Sequence, residues 1–136
     1  MIQHKRKNYH SEDILIHAIV QGMQAKKAQD ISILNLQSIG SAIAAYFILC
    51  TGQAKKQVDA ITETIIEMVY KKAGQRPWKQ EGLTNKEWVL LDYVDVVVHV
   101  FHSDKRAFYA LDTLWGDAAI TYIKDWSSSL PRIGPE

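Results

Sequence analysis

The sequence contains a single cysteine, Cys50, and no apolar run of membrane-spanning length. One cysteine forms no intrachain disulfide, so nothing in the chain requires an oxidising compartment, and a reducing cytoplasm is the simplest location. A transmembrane helix needs about 20 consecutive apolar residues, so we predict no membrane partner. Glu12 and Asp13 interrupt the basic and apolar pattern near the N-terminus, which argues against a signal peptide.

The sequence also lacks a marked charge of either sign. Sixteen basic residues face 15 acidic residues, which leaves a net charge of +1 at pH 7. Three lysine pairs, at 26–27, 55–56 and 71–72, are spread along the chain. Extensive nucleic-acid binding needs a concentrated basic surface. We therefore interpret the pairs as solvated surface and predict no extensive direct nucleic-acid binding.

Residues that could support chemistry are few. His99 and His102 are three apart on a predicted strand, where their side chains point to opposite faces and form no local metal motif. Cys50 has no obvious cationic neighbour in its apolar strand, which is typical of a buried structural thiol. Asp92 and Asp95 lack the further acid or metal that a catalytic carboxylate pair needs. We expect no cofactor, no metal site and no enzymatic activity.

Hydrophobic periodicity predicts two helices. Ser11 is a suitable N-cap for a helix from about 12 to 26, which has acidic residues in its first turn and apolar residues at helical spacing. A longer amphipathic helix spans 53–73, and a lysine pair followed by Gly74 forms its stop signal.

Shorter apolar runs predict the strands. "DISILNL" alternates in a way that suits a strand, and "AYFILCTG" is continuously apolar, as in a strand buried on both faces. "RPWKQEG" resembles an edge strand because Pro77 cannot donate a ladder hydrogen bond. Together these elements predict a single α/β domain, a mixed β-sheet flanked by helices.

The segment "WVLLDYVDVVVHVF", 88–101, is too long for one ordinary strand of about five or six residues. We predict a hairpin that turns at 93–95, with a central second strand and a two-faced first strand. One face of the first strand combines Trp88 with Asp92, which is typical of an interaction surface. Tight turns prefer Gly, Asn or Asp at positive φ, so Val94 is expected to take negative φ or to be strained.

Six stretches, in this order, carry a resemblance to a known family. They are "KKAQDISILNL", "YFILCTG", "QAKKQVDAI", "EG", "WVLLDYVDVVVHVF" and "FYALDTLWGDA", and they cover roughly Ala18 to Ala118. Together they resemble the ribosomal silencing factor S, or Iojap-like, proteins. The resemblance implies a nucleotidyltransferase-like core without a working active site. It also implies a cytoplasmic protein that binds large-subunit ribosomal protein fourteen, blocks small-subunit joining and represses translation when nutrients are scarce.

The resemblance further implies which residues meet the partner. By position, the family's partner-binding surface maps to Trp88, Leu90, Leu91, Asp92, Tyr93 and Asp95. The chain departs from the family at two positions near this surface. The family usually has an acidic residue where this chain has Ala45, and Gly where this chain has Val94.

The predicted domain organisation combines the N-cap at Ser11, the resemblance up to Ala118 and the Ser-, Pro- and Gly-containing tail. Residues 1–11 are expected to form a flexible N-terminus, residues 12–118 the silencing-factor domain, and residues 119–136 a partly disordered C-terminal extension. A short helix around Ile120 to Trp126 is expected within that extension.

Two other function classes stay open. A nucleotidyltransferase of the same fold would place acids at alternating strand positions to hold two magnesium ions, and this chain has "IGSAI" but no Asp-x-Asp. A self-associating scaffold would pair the apolar hairpin face with a second copy, and the homodimer would compete with ribosome binding. Magnesium-dependent nucleotide binding tests the first class, and sedimentation tests the second.

Overall fold

A computed structural model describes residues 2–40, 42–104 and 119–123. Within these residues the elements are α1 (Ile2–Ala25), β1 (Gln29–Asn35), β2 (Tyr46–Gly52), α2 (Lys55–Ala73), β3 (Lys79–Glu81), β4 (Trp88–Asp92), β5 (Val96–His102) and β6 (Ala119–Ile123). The described strands form one sheet in the order β3-β4-β5-β2-β1-β6. Among them only β2 and β5 pair in parallel, and the other neighbours are antiparallel, so the sheet is mixed as predicted.

Helix α1 begins at Ile2, so the helix start predicted at Ser11 was wrong. Residues 1–21 contain no glycine or proline, so no helix-breaking residue prevents the helix from extending N-terminal to Ser11. The helix continues through residues 2–10, part of the segment that we expected to be a flexible N-terminus. Its predicted apolar face is buried, with Leu15, Ala18, Ile19 and Met23 at most 3% exposed.

Helix α2 ends as the sequence predicted. Gly74 adopts the left-handed conformation at φ 68°, and its N–H donates to the carbonyl oxygen of Tyr70. The two helices approach closely at Gly22, where a Cβ would lie 2.9 Å from the Cα of Ile65. Within the described ranges, neither helix is both long and apolar enough to cross a membrane.

The two faces of the sheet bury different clusters. Both described helices pack on one face, called here the helix-covered face, together with side chains such as Ile48, Val89 and Leu91. The opposite, second face carries a smaller apolar cluster. Strands β2 and β5 lie in the middle of the sheet and are buried on both faces, as predicted. The second-face cluster consists of Leu34, Leu36, Ala44, Phe47, Leu49, Val97 and Phe101.

The C-terminal extension forms a strand where we expected a helix. Residues 119–123 pair antiparallel with β1, and Ile120 lies opposite Leu34. Ile120 packs on the second-face cluster, whereas Ile123 packs on the cluster under the helices, an alternation that a strand provides. The rest of the expected helix, the predicted disordered tail and the stretch "FYALDTLWGDA" lie outside the described residues. The division of the chain after residues 11 and 118 stays a prediction.

Candidate partner-binding surface

Strands β4 and β5 form the predicted hairpin. Residues that pair directly across the two strands share one face of the sheet. Three pairs of β4 and β5 side chains therefore lie side by side on the second face of the sheet. These are Trp88 with Phe101, Leu90 with His99, and Asp92 with Val97.

Trp88 is the largest exposed side chain of this hairpin. Its side chain is 43% exposed, yet the indole is held from below. The Nε1–H donates a hydrogen bond to Nδ1 of His99 at 3.1 Å, and the ring centroid lies 5.1 Å from that of Phe101. An aromatic ring that is exposed on one side and fixed on the other has the form of a binding anchor.

His99 lies in the floor beneath the indole and is only 3% exposed. Its ring meets Phe47 edge-on at 4.7 Å and stacks almost parallel to Phe101 at 6.1 Å. The indole N–H can only donate, so Nδ1 must be an unprotonated acceptor and the neutral ring carries its proton on Nε2. Burial lowers the pKa of His99 to about 4, which agrees with a neutral ring.

The bend of the hairpin is a strained turn. Val94 adopts φ 77°, so the second of the two predicted alternatives, strain, is the one observed. The carbonyl of Tyr93 accepts the N–H of Asp95 at 3.0 Å, which closes a γ-turn around Val94. Asp92 stabilises the turn because its Oδ1 accepts the Val94 N–H at 2.7 Å.

Neighbouring elements hold this bend in place. The carbonyl oxygen of Asp95 accepts two backbone N–H groups, from Ala45 at 2.8 Å and from Tyr46 at 3.1 Å. Glu12 of α1 lies close enough to the bend to interact electrostatically with Asp95. Its carboxyl pKa is raised, first by burial and then by the charge of Asp95. Two acidic residues of the hairpin, Asp92 and Asp95, thus lie at its bend, with Glu12 of α1 nearby.

The six predicted contact residues divide between the two faces. Leu91 and Tyr93 are 0% and 4% exposed on the helix-covered face, where they pack in the core. Burial raises the pKa of the Tyr93 hydroxyl, which has no hydrogen-bond partner within the described part of the chain. The other four reach the surface and are called here the hairpin surface: Trp88, Leu90, Asp92 and Asp95.

A glycine before β4 permits this arrangement. Gly82 adopts φ 81°, and a Cβ there would overlap the carbonyl oxygen of Trp88. The Gly82 carbonyl also accepts the N–H of Lys86 at 2.9 Å. The loop that joins β3 to β4 is thus packed directly on the Trp88 backbone.

The histidines, the cysteine and the carboxylates are the described residues that could support chemistry. The described part of the chain contains no group of three or more His, Cys, Asp or Glu side chains that could hold a metal ion. Cys50 is fully buried and burial raises its pKa, so it is the structural thiol that we predicted. Nδ1 of His102 lies 3.7 Å from Oδ2 of Asp104 at the far end of β5, away from the buried ring of His99.

Sequence reasoning missed the role of His99 beneath Trp88. The predicted turn at 93–95 would pair position 90 with 98 and position 88 with 100, whereas the structure pairs Leu90 with His99 and Trp88 with Phe101. This difference of one residue in register moves His99 and Phe101 to the face of the indole. The approach of Glu12 to the bend had no signal in the sequence either, because the two lie far apart along the chain.

Comparisons with known proteins identify relatives across most of the chain. A family model described as "Ribosomal silencing factor during starvation" matches residues 8–133. The chain is 43% identical over 108 residues to the ribosomal silencing factor RsfS of Halalkalibacterium halodurans, covering 79% of this chain and 91% of that protein. It is 45% identical over 95 residues to the RsfS of Bacillus subtilis, covering 70% and 79%.

Solved structures support the same relationship. A crystal structure of a protein from Bacillus halodurans superposes with a TM-score of 0.67 at 38% identity, covering 74% of this chain and 92% of that chain. A crystal structure of a protein from Chromobacterium violaceum gives a TM-score of 0.68 at 31% identity, covering 75% and 83%.

Proposed function

The chain belongs to the family of ribosomal silencing factors, and from that premise we propose that it represses translation by binding large-subunit ribosomal protein fourteen. The bound protein stands where the small subunit joins the large one, so the two subunits stay apart. The hairpin surface makes the contact. This action places the protein in the cytoplasm with the ribosome.

The main support for the proposal is the indole of Trp88, which is exposed to solvent on one side and fixed by His99 and Phe101 on the other. Binding energy at protein interfaces concentrates in a few anchors, and Trp is among the residues most enriched there. Trp88 is already fixed by His99 and Phe101, so little side-chain freedom is lost on docking. Truncation of such an anchor costs about 2 kcal/mol or more, roughly thirtyfold in affinity.

The charge of the surface fits a basic partner. Asp92 and Asp95 lie at the bend, and the carboxyl group of Glu12 on α1 is near enough for the charge of Asp95 to raise its pKa. Negative charge at an interface attracts a basic protein and repels the phosphates of surrounding RNA. Electrostatics thus favours a ribosomal protein over ribosomal RNA as the direct contact.

Steric exclusion requires no catalytic step. An interface of standard size buries about 800 Å² on each partner, so the proposed contact extends beyond the four residues of the hairpin surface. The helix-covered side of the domain then projects away from the contact. Its volume is the obstacle to the small subunit.

The test is co-sedimentation of the purified protein with 50S and 70S particles on sucrose gradients. Wild type should migrate with free 50S particles and reduce the formation of 70S particles. Trp88→Ala should lose both effects. Tyr122→Ala is the matched control, because Tyr122 is an exposed aromatic residue, 58% exposed, on β6 at the opposite edge of the sheet.

The outcomes separate the function from the site. Wild type that stays at the top of the gradient overturns the proposed function, and magnesium-dependent nucleotide binding becomes the next measurement. Equal binding by wild type and Trp88→Ala keeps the function and rejects the hairpin surface. Thermal melts of both variants must show folded protein for either conclusion.

A further inference from the structure

The indole of Trp88 is oriented by a hydrogen bond to a buried group. A surface tryptophan free to rotate would sample several orientations, and an interface would have to select one of them. Here the Nε1–H points to Nδ1 of His99 at 3.1 Å, and the ring leans on Phe101 at 5.1 Å. The edge of the indole that faces the core is therefore fixed before any partner arrives.

His99 cannot move to follow the indole. It lies on β5, which is paired with β4 on one side and β2 on the other. Phe47 and Phe101 contact its ring from two directions, and only 3% of the residue is exposed. The acceptor atom is thus held by the rigid centre of the sheet.

The second ring nitrogen shows that packing alone does not explain a histidine here. Nε2 of His99 is buried and has no hydrogen-bond partner in the part of the chain that the structure describes. A buried donor without a partner destabilises a fold, and a phenylalanine would fill a similar space without that penalty. What phenylalanine lacks is an acceptor for the indole.

We propose that His99 is a positioning residue for partner binding: its Nδ1 atom holds the Trp88 indole in the orientation that docks, although His99 itself never touches the partner. This inference rests on the proposed function of the hairpin surface. It assigns the geometry of the anchor to a residue on the neighbouring strand.

The experiment compares His99→Phe with His99→Asn. His99→Phe keeps an aromatic ring and removes the acceptor, and its Tm should equal or exceed that of wild type. Its affinity for purified large-subunit ribosomal protein fourteen should fall by about threefold to tenfold, the effect of freeing one large side chain. His99→Asn returns an acceptor near the position of Nδ1 and should recover most of the affinity, although it packs less well.

A spectroscopic readout reports the hydrogen bond directly. The chain has four tryptophans, and the indole N–H signal of Trp88 can be assigned by its loss in Trp88→Phe. In wild type this N–H should exchange with solvent more slowly than that of Trp78, which is 76% exposed. In His99→Phe the Trp88 signal should exchange about as fast as the Trp78 signal.

Two affinity results would overturn the proposal: His99→Phe binds as tightly as wild type, or affinity follows Tm across the variants. One exchange result would also overturn it: the wild-type Trp88 N–H exchanges as fast as that of Trp78. The exchange measurement needs no variant at position 99, so it decides even if both variants fail to fold. Wild type that does not bind protein fourteen overturns the proposed function, and the positioning role falls with it even where the hydrogen bond is present.

Discussion

The two faces of strand β4 differ in what covers them, although their residues alternate along one five-residue stretch. On the helix-covered face, Val89 and Leu91 are at most 1% exposed. On the second face, Trp88 is 43% exposed and its neighbours Leu90 and Asp92 are half-buried. Alternate residues of this one strand therefore pack in the core and reach the surface.

The difference shows how a stable strand can present a binding surface. Val89 and Leu91 belong to the buried cluster that also contains side chains of α1 and α2, so this face of β4 supplies most of the strand's share of the core. The second face can then expose a tryptophan and a carboxylate. Substitutions on the two faces should accordingly affect different measurements.

The largest expected effect is on folding, at Leu91. Leu91→Ala removes a fully buried side chain and should lower the free energy of unfolding by about 3 kcal/mol. Leu90→Ala, next to it on the other face, should cost about 1 kcal/mol because the side chain is only half-buried. Urea denaturation measures both. Equal losses at the two positions would contradict the comparison of the faces.

A comparable effect is expected from pH, at His99. Its pKa is about 4 in the folded chain, against an ordinary value of 6.5 when unfolded. Between these values the unfolded chain binds a proton that the folded chain does not, so stability falls as pH decreases from about 6.5 to about 4 and then levels off. This pKa shift corresponds to a loss of about 3 kcal/mol in the free energy of unfolding.

The control for this pH dependence is His99→Phe, which has no titrating ring. The difference in unfolding free energy between wild type and His99→Phe should change across the range from pH 6.5 to pH 4. Urea denaturation at several pH values gives this difference. A constant difference would show that His99 is not buried as a neutral ring.

A smaller effect is expected at the bend, at Val94. Val94→Gly relieves the strain of positive φ and should stabilise the fold by about 1 kcal/mol. Val94→Ala keeps the strain, and because Val94 is 60% exposed its truncation should change the unfolding free energy little. Thermal melts compare the two variants. If Val94→Gly is no more stable than Val94→Ala, the γ-turn is not strained.

The smallest expected effect is kinetic, at Asp95. Asp95→Asn removes a charge from the bend and should slow association with protein fourteen by about threefold at low salt, with little change at high salt. Asp104→Asn is the matched control, since Asp104 is an exposed acid near the far end of β5. Surface plasmon resonance at two salt concentrations measures both. The same slowing in Asp104→Asn would point to net charge instead of local charge.

Most of the elements could be predicted from the sequence because their signals are local. The stop signal at Gly74, the continuous apolar run of β2 and the length of the segment 88–101 each depend on a few neighbouring residues. The start of α1 and the strand β6 could not be predicted in this way. β6 is defined by its pairing with β1, more than 80 residues earlier in the chain.

For the candidate site, the sequence predicted which β4 residues share a face, whereas their role in binding stays a prediction. The alternation of β4 was sufficient to place Trp88, Leu90 and Asp92 on one face, but the resemblance alone did not separate them from Leu91 and Tyr93. Burial beneath α1 and α2 separates the two groups. Which face is covered depends on where the helices pack, and periodicity within the strand does not contain that information.

The sequence by itself determined the period of each element, the hairpin and the conflict at Val94, because these follow from the steric preferences of adjacent residues. Only the tertiary structure decided that His99 lies under the indole of Trp88, that Glu12 approaches the bend, and that Asp95 binds the backbone of Ala45 and Tyr46. These contacts join different elements. They form only when the register of the strands and the packing of the helices bring distant residues together.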